Sequence, residues 1–118
     1  MIDPYLDGAQ KLVNLYQCKM QSIQEAMIDP NVDAVCIASA TDTHADLIEL
    51  AAKNAKAIFC EKPIDLSSTR AAECRTAIKA AGVGFFTAFN RRFDPSFARL
   101  QAQLAEGVIG DAEIVVIT

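Results

Sequence analysis

Apolar and polar positions alternate along the chain on two length scales. Short continuous apolar runs occupy residues 34–38 (AVCIA), 57–60 (AIFC) and 83–89 (VGFFTAF). Longer segments between them carry apolar residues every third or fourth position. Each run has the length of a strand, and its lack of internal alternation predicts a strand buried on both faces of a parallel sheet. The intervening segments predict helices with defined ends. One begins at Thr43, with Asp46 as a short-armed capping box and Glu49–Lys53 as an i,i+4 pair on the wet face. The next begins after Ser67 or Ser68 and stops at Gly82, a left-handed C′ position. A third has Asp94 as cap, Pro95 at its first position, Phe97, Leu100 and Leu104 on one face, and Gly107 at its end. Earlier in the chain, 7–16 reads as a helix with Leu12 and Leu15 inward. Residues 22–28 read as a shorter helix, with Glu25 three after Ser22. A last run, 114–118 (IVVIT), reads as a strand with no partner following it.

Strands alternating with helices predict an α/β fold: an open parallel sheet with right-handed crossovers, flanked by helices. Ligands of such sheets sit at the carboxyl ends of strands, in the crevice at the switch point. The residues that matter are therefore those just after each run: 39–44 (SATDTH), 61–63 (EKP) and 90–94 (NRRFD).

Composition narrows the partners. A chain of 118 residues with 52% hydrophobic and 22% charged residues is one globular domain at most. Its net charge of −4 argues against a nucleic-acid or anionic-membrane surface. No apolar run approaches the roughly 18 residues of a membrane span, and Asp3-Pro4 interrupts the N-terminus before a signal sequence can form. Four cysteines without a C-x-x-C pair, and a single histidine, exclude a zinc framework. Reduced thiols of a cytoplasmic protein are expected, with Cys36 and Cys60 buried as small hydrophobes.

Each strand-end segment has a functional and a plain structural reading. Lys62 precedes a proline, which holds its backbone extended. An ammonium there can hydrogen-bond a substrate hydroxyl, or stabilise the alkoxide that forms as hydride leaves carbon, with Glu61 fixing it or a ribose hydroxyl. The plain alternative is a surface ion pair at a turn. Residues 39–44 open a helix whose amides can face an anion, or simply cap it with His44 exposed in the first turn. Asn90, Arg91 and Arg92 either anchor a polyhydroxylated or acidic substrate or are solvated loop groups beside Asp94. Asp3 can accept hydrogen bonds from an adenosine ribose and disfavour a 2′-phosphate, or it forms an Asp-Pro turn. No G-x-G-x-x-G occurs, because Gly8, Gly82, Gly84, Gly107 and Gly110 have the wrong spacing.

The order Asp3-Pro4, then 33–48 (DAVCIASATDTHADLI), 60–67 (CEKPIDLS), 89–97 (FNRRFDPSF) and 109–111 (IGD) resembles the glucose–fructose oxidoreductase/inositol dehydrogenase/MocA-like (Gfo/Idh/MocA) family. Residues 89–97 are most similar to its inositol 2-dehydrogenase branch. The resemblance implies an NAD-dependent oxidoreductase, with NADP less favoured, acting on a sugar or cyclitol hydroxyl. It implies Lys62 as the catalytic lysine at nicotinamide and substrate, and Glu61 and Pro63 beside the cofactor. Asp3 becomes the ribose acid, while Ala40, Thr41 and His44 belong to the loop and helix start over the cofactor. Asn90 then flanks the nicotinamide and Arg91 the substrate. A cis Lys62–Pro63 peptide is also implied.

Two family features are not found: the glycine-rich first strand and helix, and the C-terminal α/β domain with its catalytic histidine. Residues 1–111 are then the C-terminal part of a dinucleotide-binding Rossmann domain, and 112–118 the first strand of the next domain. An isolated chain of this kind is expected to be inactive and to self-associate through its open sheet. A response-regulator receiver domain fits less well, because Lys62-Pro63 falls mid-chain and no carboxylate directly ends 34–38. A non-catalytic relative that uses the fold for binding or assembly stays open.

Overall fold

The structure, a computed structural model, describes residues 1–116. They form two compact units, residues 1–87 and residues 88 onward. The first contains helices α1 (Leu6–Tyr16), α2 (Ile23–Ile28), α3 (Thr41–Lys53) and α4 (Ser68–Ala81), and strands β1 (Ala34–Ile37), β2 (Ala57–Cys60) and β3 (Phe85–Thr87). The strands form one parallel sheet in the order β1-β2-β3, with Val35 beside Ile58 and Ile58 beside Phe85. The expected parallel α/β arrangement is present.

Side-chain parity sorts the sheet into two unlike faces. Val35, Ile37, Ile58, Cys60 and Phe85 point to the side where Met27 of α2, Ile48 and three alanines of α3, and Cys74 of α4 complete the core. Helix α3 suits that position because His44, Ala45, Ile48, Ala51 and Ala52 form one buried stripe at helical spacing. The opposite face carries Cys36, Phe59 and Phe86 in register. There Phe59 and Phe86 are 39% and 48% exposed, with their rings stacked 5.6 Å apart. Burial on both faces is thus corrected: within this unit no helix covers the second face, and Cys36 is exposed rather than buried.

Helix ends follow local chemistry. Ser22 and Glu25 form a complete capping box on α2. Ser67 caps α4, which ends at Gly82 in the left-handed region (φ 67°). Helix α3 starts three residues earlier than a Thr43 cap predicts, at Thr41 with Ala40 as N-cap. The Thr43 hydroxyl donates to the Ala40 carbonyl at 2.7 Å, so Thr43 lies inside the first turn instead of capping it.

The expected pairs on the outer face of α3 are also replaced. Arg70 of α4 donates to both carboxylate oxygens of Glu49, to Asp46 at 2.7 Å and to Glu73 at 3.1 Å. A bidentate guanidinium captures Glu49 better than a flexible Lys53 one turn away. Leu12 and Leu15 are exposed, and Ala9 is the only buried residue of α1. The expected inward positions Leu12 and Leu15 are therefore outside the core, and α1 is seated through Ala9 instead.

In the second unit, a 3-10 turn (Asn90–Phe93) leads into α5 (Pro95–Ala105), capped by Asp94 with Pro95 in its first turn as expected. Phe97 and Leu100 are about half exposed, and no residue of α5 is buried. The expected apolar face is therefore present but not enclosed. Residues 114–116 form no strand, having no partner to complete a ladder, and 117–118 of that predicted strand lie outside the described residues.

The thiols divide accordingly. Cys18 and Cys36 are exposed, whereas Cys60 and Cys74 are fully buried. Burial pushes the Cys60 thiol up to about 11 and raises that of Cys74. Only the thiolate reacts, so a mild thiol reagent at neutral pH is expected to modify two cysteines rapidly and the other two only after denaturation. Equal reactivity of all four in the folded chain contradicts this packing.

Candidate functional site

The carboxyl ends of β1 and β2 lie side by side. The ladder's last rung is Glu61 N–H donating to the Ile37 carbonyl at 2.9 Å. Beyond it the two strands release their chains into separate loops, 38–40 and 61–67.

In the second loop the Lys62–Pro63 peptide is cis. Glu61 is half-buried, and its carboxylate accepts from the Lys62 amide at 3.2 Å. The Lys62 side chain is exposed, with no hydrogen bond or ion pair among the described residues. A lysine without a partner at a strand end is free to meet a ligand. The surface ion-pair alternative does not describe it.

In the first loop, the Ser39 and Thr43 hydroxyls are bonded at 2.6 Å, and the Thr43 amide donates back to Ala40 O at 2.9 Å. Thr41 opens a helix of 13 residues, so its amide and that of Asp42 project from a positive helix end. Such an end suits a diphosphate edge.

His44 departs from its expected exposure. The ring is 1% exposed, with Nδ1 2.8 Å from the Pro63 carbonyl and Nε2 3.0 Å from the Ser39 carbonyl. The sequence signal for this was its place on the inward stripe of α3, four residues before Ile48. Ser39, whose carbonyl faces the ring, was not singled out, and nothing in its residue type marks a carbonyl acceptor.

Asp3 is partly exposed, and its Oδ1 accepts from the Tyr5 amide at 2.7 Å, an Asx turn. Oδ2 has no hydrogen bond among the described residues. Within the second unit, the Arg91 guanidinium lies 5.3 Å from the centre of the Phe97 ring and 3.7 Å from Asp94. Asn90 is exposed in the same 3-10 turn. The first unit thus brings Ala40, Thr41, His44, Glu61, Lys62 and Pro63 to two adjacent strand ends, while Asn90 and Arg91 belong to the other unit. Among the described residues no cluster of three or more metal-ligating side chains occurs, and no helix is long and apolar enough to cross a membrane.

Comparisons with known proteins are consistent across sequence and structure. The family profile GFO_IDH_MocA, described as "Oxidoreductase family, NAD-binding Rossmann fold", matches residues 1–89. An inositol 2-dehydrogenase of Rhizobium meliloti is 40% identical over 116 residues, 98% of this chain and 35% of that protein. A myo-inositol 2-dehydrogenase of Thermotoga maritima is 43% identical over 94 residues, 80% of this chain and 28% of that protein. The crystal structure of apo scyllo-inositol dehydrogenase from Lactobacillus casei superposes with a TM-score of 0.85 at 25% identity, covering 93% of this chain and 34% of that one. The chain spans about a third of the length of the curated relatives it matches.

Proposed function

The chain belongs to the Gfo/Idh/MocA oxidoreductase family, with its NAD-binding Rossmann fold, and on that premise we propose that it supplies the second half of a dinucleotide-binding domain. Residues 1–111 form that half, and 112–118 lead into a further α/β domain. The enzyme of which it is part moves a hydride between nicotinamide and a hydroxyl of a sugar or cyclitol, inositol foremost. The observation that carries the reading is Lys62, exposed and without a partner among the described residues, at the carboxyl end of the middle strand.

The residues present fit one part of a dinucleotide. The open amides at Thr41 and Asp42, the free Oδ2 of Asp3 and the Lys62 ammonium offer donors to phosphate, an acceptor to ribose and a cation to a reacting oxygen. None of the five glycines forms the cradle for the diphosphate itself. Bound nicotinamide supplies the hydride acceptor. Lys62 donates a hydrogen bond to the substrate hydroxyl and stabilises its oxygen as negative charge develops. Glu61 and Pro63 set the position of that ammonium from either side, and Ala40, Thr41 and His44 form the helix start over the cofactor. Asp3 favours NAD over NADP through the ribose hydroxyls. Asn90 and Arg91 take nicotinamide and substrate roles by family resemblance.

A second reading, a non-catalytic module that self-associates, draws on the exposed Phe59–Phe86 face and on the outer edge of β1. Titration of the purified chain with NADH, followed by nicotinamide fluorescence and melting temperature, separates the two. Saturable binding supports the cofactor site. A chain that is dimeric in sedimentation and indifferent to NADH supports the module. Substrate-dependent NADH formation by the chain alone overturns the expectation that the rest of the enzyme is needed.

A further inference from the structure

We propose that His44 is a positioning residue: its imidazole ties the carbonyl after Lys62-Pro63 to the carbonyl of Ser39, and so holds the lysine's turn against the first turn of α3. The inference rests on the reading of Lys62 as the working group of the site. It goes beyond that reading by assigning His44 a hold on the loop instead of a contact with the cofactor.

Three observations carry it. First, the ring is buried, with 1% of its surface exposed, so it presents no face to a ligand. Second, both ring nitrogens face backbone carbonyls, Pro63 O at 2.8 Å and Ser39 O at 3.0 Å. Those carbonyls belong to the two loops that leave neighbouring strands. Third, among the described residues no backbone hydrogen bond joins these loops past the rung from Glu61 to Ile37. The imidazole is thus the tie that continues where the ladder stops. A neutral ring has one N–H and donates to one carbonyl at a time, whereas a doubly protonated ring donates to both. The hold on the lysine's loop is the N–H on Nδ1, which faces the nearer of the two carbonyls, Pro63 O, and belongs to a ring that α3 fixes, with Ala45 and Ile48 buried beside it.

The consequence for Lys62 is geometric. Pro63 follows it directly, so a fixed Pro63 carbonyl restricts the turn that carries the ammonium. A lysine on a loop without such a tie samples more orientations, and catalytic groups lose effect with displacements of about 1 Å.

The test exploits the single histidine of the chain. With histidine labelled in 15N, a ring N–H proton exchanging slowly with water is expected. A ring whose protons all exchange too fast to observe overturns the proposal. Two variants follow: His44→Leu, which keeps bulk without donors, and His44→Gln, whose amide can still donate. In His44→Leu the Glu61 and Lys62 amides are expected to exchange at least about tenfold faster, while the Ile58 amide within the ladder keeps its rate. In His44→Gln they return toward the native rate. Uniform acceleration across the sheet, or no change at Glu61 and Lys62, overturns the proposal by showing either a general packing role or none. Should His44→Leu fail to fold, the slow ring proton and the Gln variant decide.

NADH titration keeps the two claims distinct. Binding weakened about tenfold in His44→Leu and restored in His44→Gln is expected. Native binding that His44→Leu leaves unchanged overturns the positioning role. A native chain without affinity for NADH defeats the cofactor reading of the isolated chain, and the tie then stands or falls on the exchange rates.

Discussion

Lys62→Met, made in a chimaera in which this chain replaces the matching stretch of the Rhizobium meliloti inositol 2-dehydrogenase, is expected to lower kcat for inositol oxidation roughly 10²- to 10⁴-fold. Methionine keeps most of the side-chain length and removes the charge and its three donors. Lys62 is exposed and its ammonium is bonded to nothing among the described residues, so its loss leaves no buried partner stranded there. Stability is therefore expected to change by less than about 0.5 kcal/mol. NADH affinity should change far less than turnover, because the donor acts on oxygen that gains charge only as hydride departs. Lys62→Arg is not a rescue, since a planar fork on a longer stem does not place one donor where the ammonium stood. A Met chimaera that turns over within tenfold of its Lys62 parent refutes the assignment.

The second large effect is on stability. Ile48→Ala is expected to destabilise the chain by about 2–5 kcal/mol, read from the urea midpoint at unchanged slope. Ile48 is fully buried, and its core neighbours on α3 are Ala45, Ala51 and Ala52, which have no side-chain length with which to close a cavity. Domains of this size are stable by roughly 5–15 kcal/mol, and a sheet with one face uncovered by the helices of its own unit has less apolar burial to draw on there. The same truncation at Leu12, 42% exposed on α1, is expected to cost no more than about 0.5 kcal/mol. Equal midpoints for the two variants would mean that the core does not lie beneath α3.

What the sequence showed, and what it hid, divides along a physical line. Most local signals were reliable: Ser22 with Glu25, Ser67 with Gly82, and Asp94 with Pro95 each marked a real helix end, because capping needs only the chain's own backbone, whereas Thr43 with Asp46 did not. The runs at Ala34–Ile37 and Ala57–Cys60 formed adjacent parallel strands, and Glu61-Lys62-Pro63 fell where one of them stops. Family membership, carried by those same segments, held. Non-local partners were not legible. Nothing near Glu49 announces that Arg70, 21 residues on, outcompetes Lys53. Continuous apolarity in AVCIA and AIFC cannot tell a face covered by helices from one left open, because both faces read alike when every residue is apolar. His44 shows the intermediate case. The expected exposure in the first turn was wrong although helical spacing with Ile48 carried the signal for burial, and its two carbonyl partners depend on where the strand ends come to rest.

The Arg70 clamp has a consequence for how the fold responds to its medium. Three carboxylates on two helices, Asp46, Glu49 and Glu73, converge on one guanidinium at the surface. Beneath that clamp, the same two helices are joined by apolar contact. Added sodium chloride screens the outer fastening as the Debye length shrinks to about 3 Å at 1 M. Sulfate at similar strength also screens it, but tightens the apolar layer below by being excluded from the surface. The seam between α3 and α4 therefore has two fastenings of opposite temperament, and the identity of the anion, beyond its concentration, decides which of them governs the first opening of the fold.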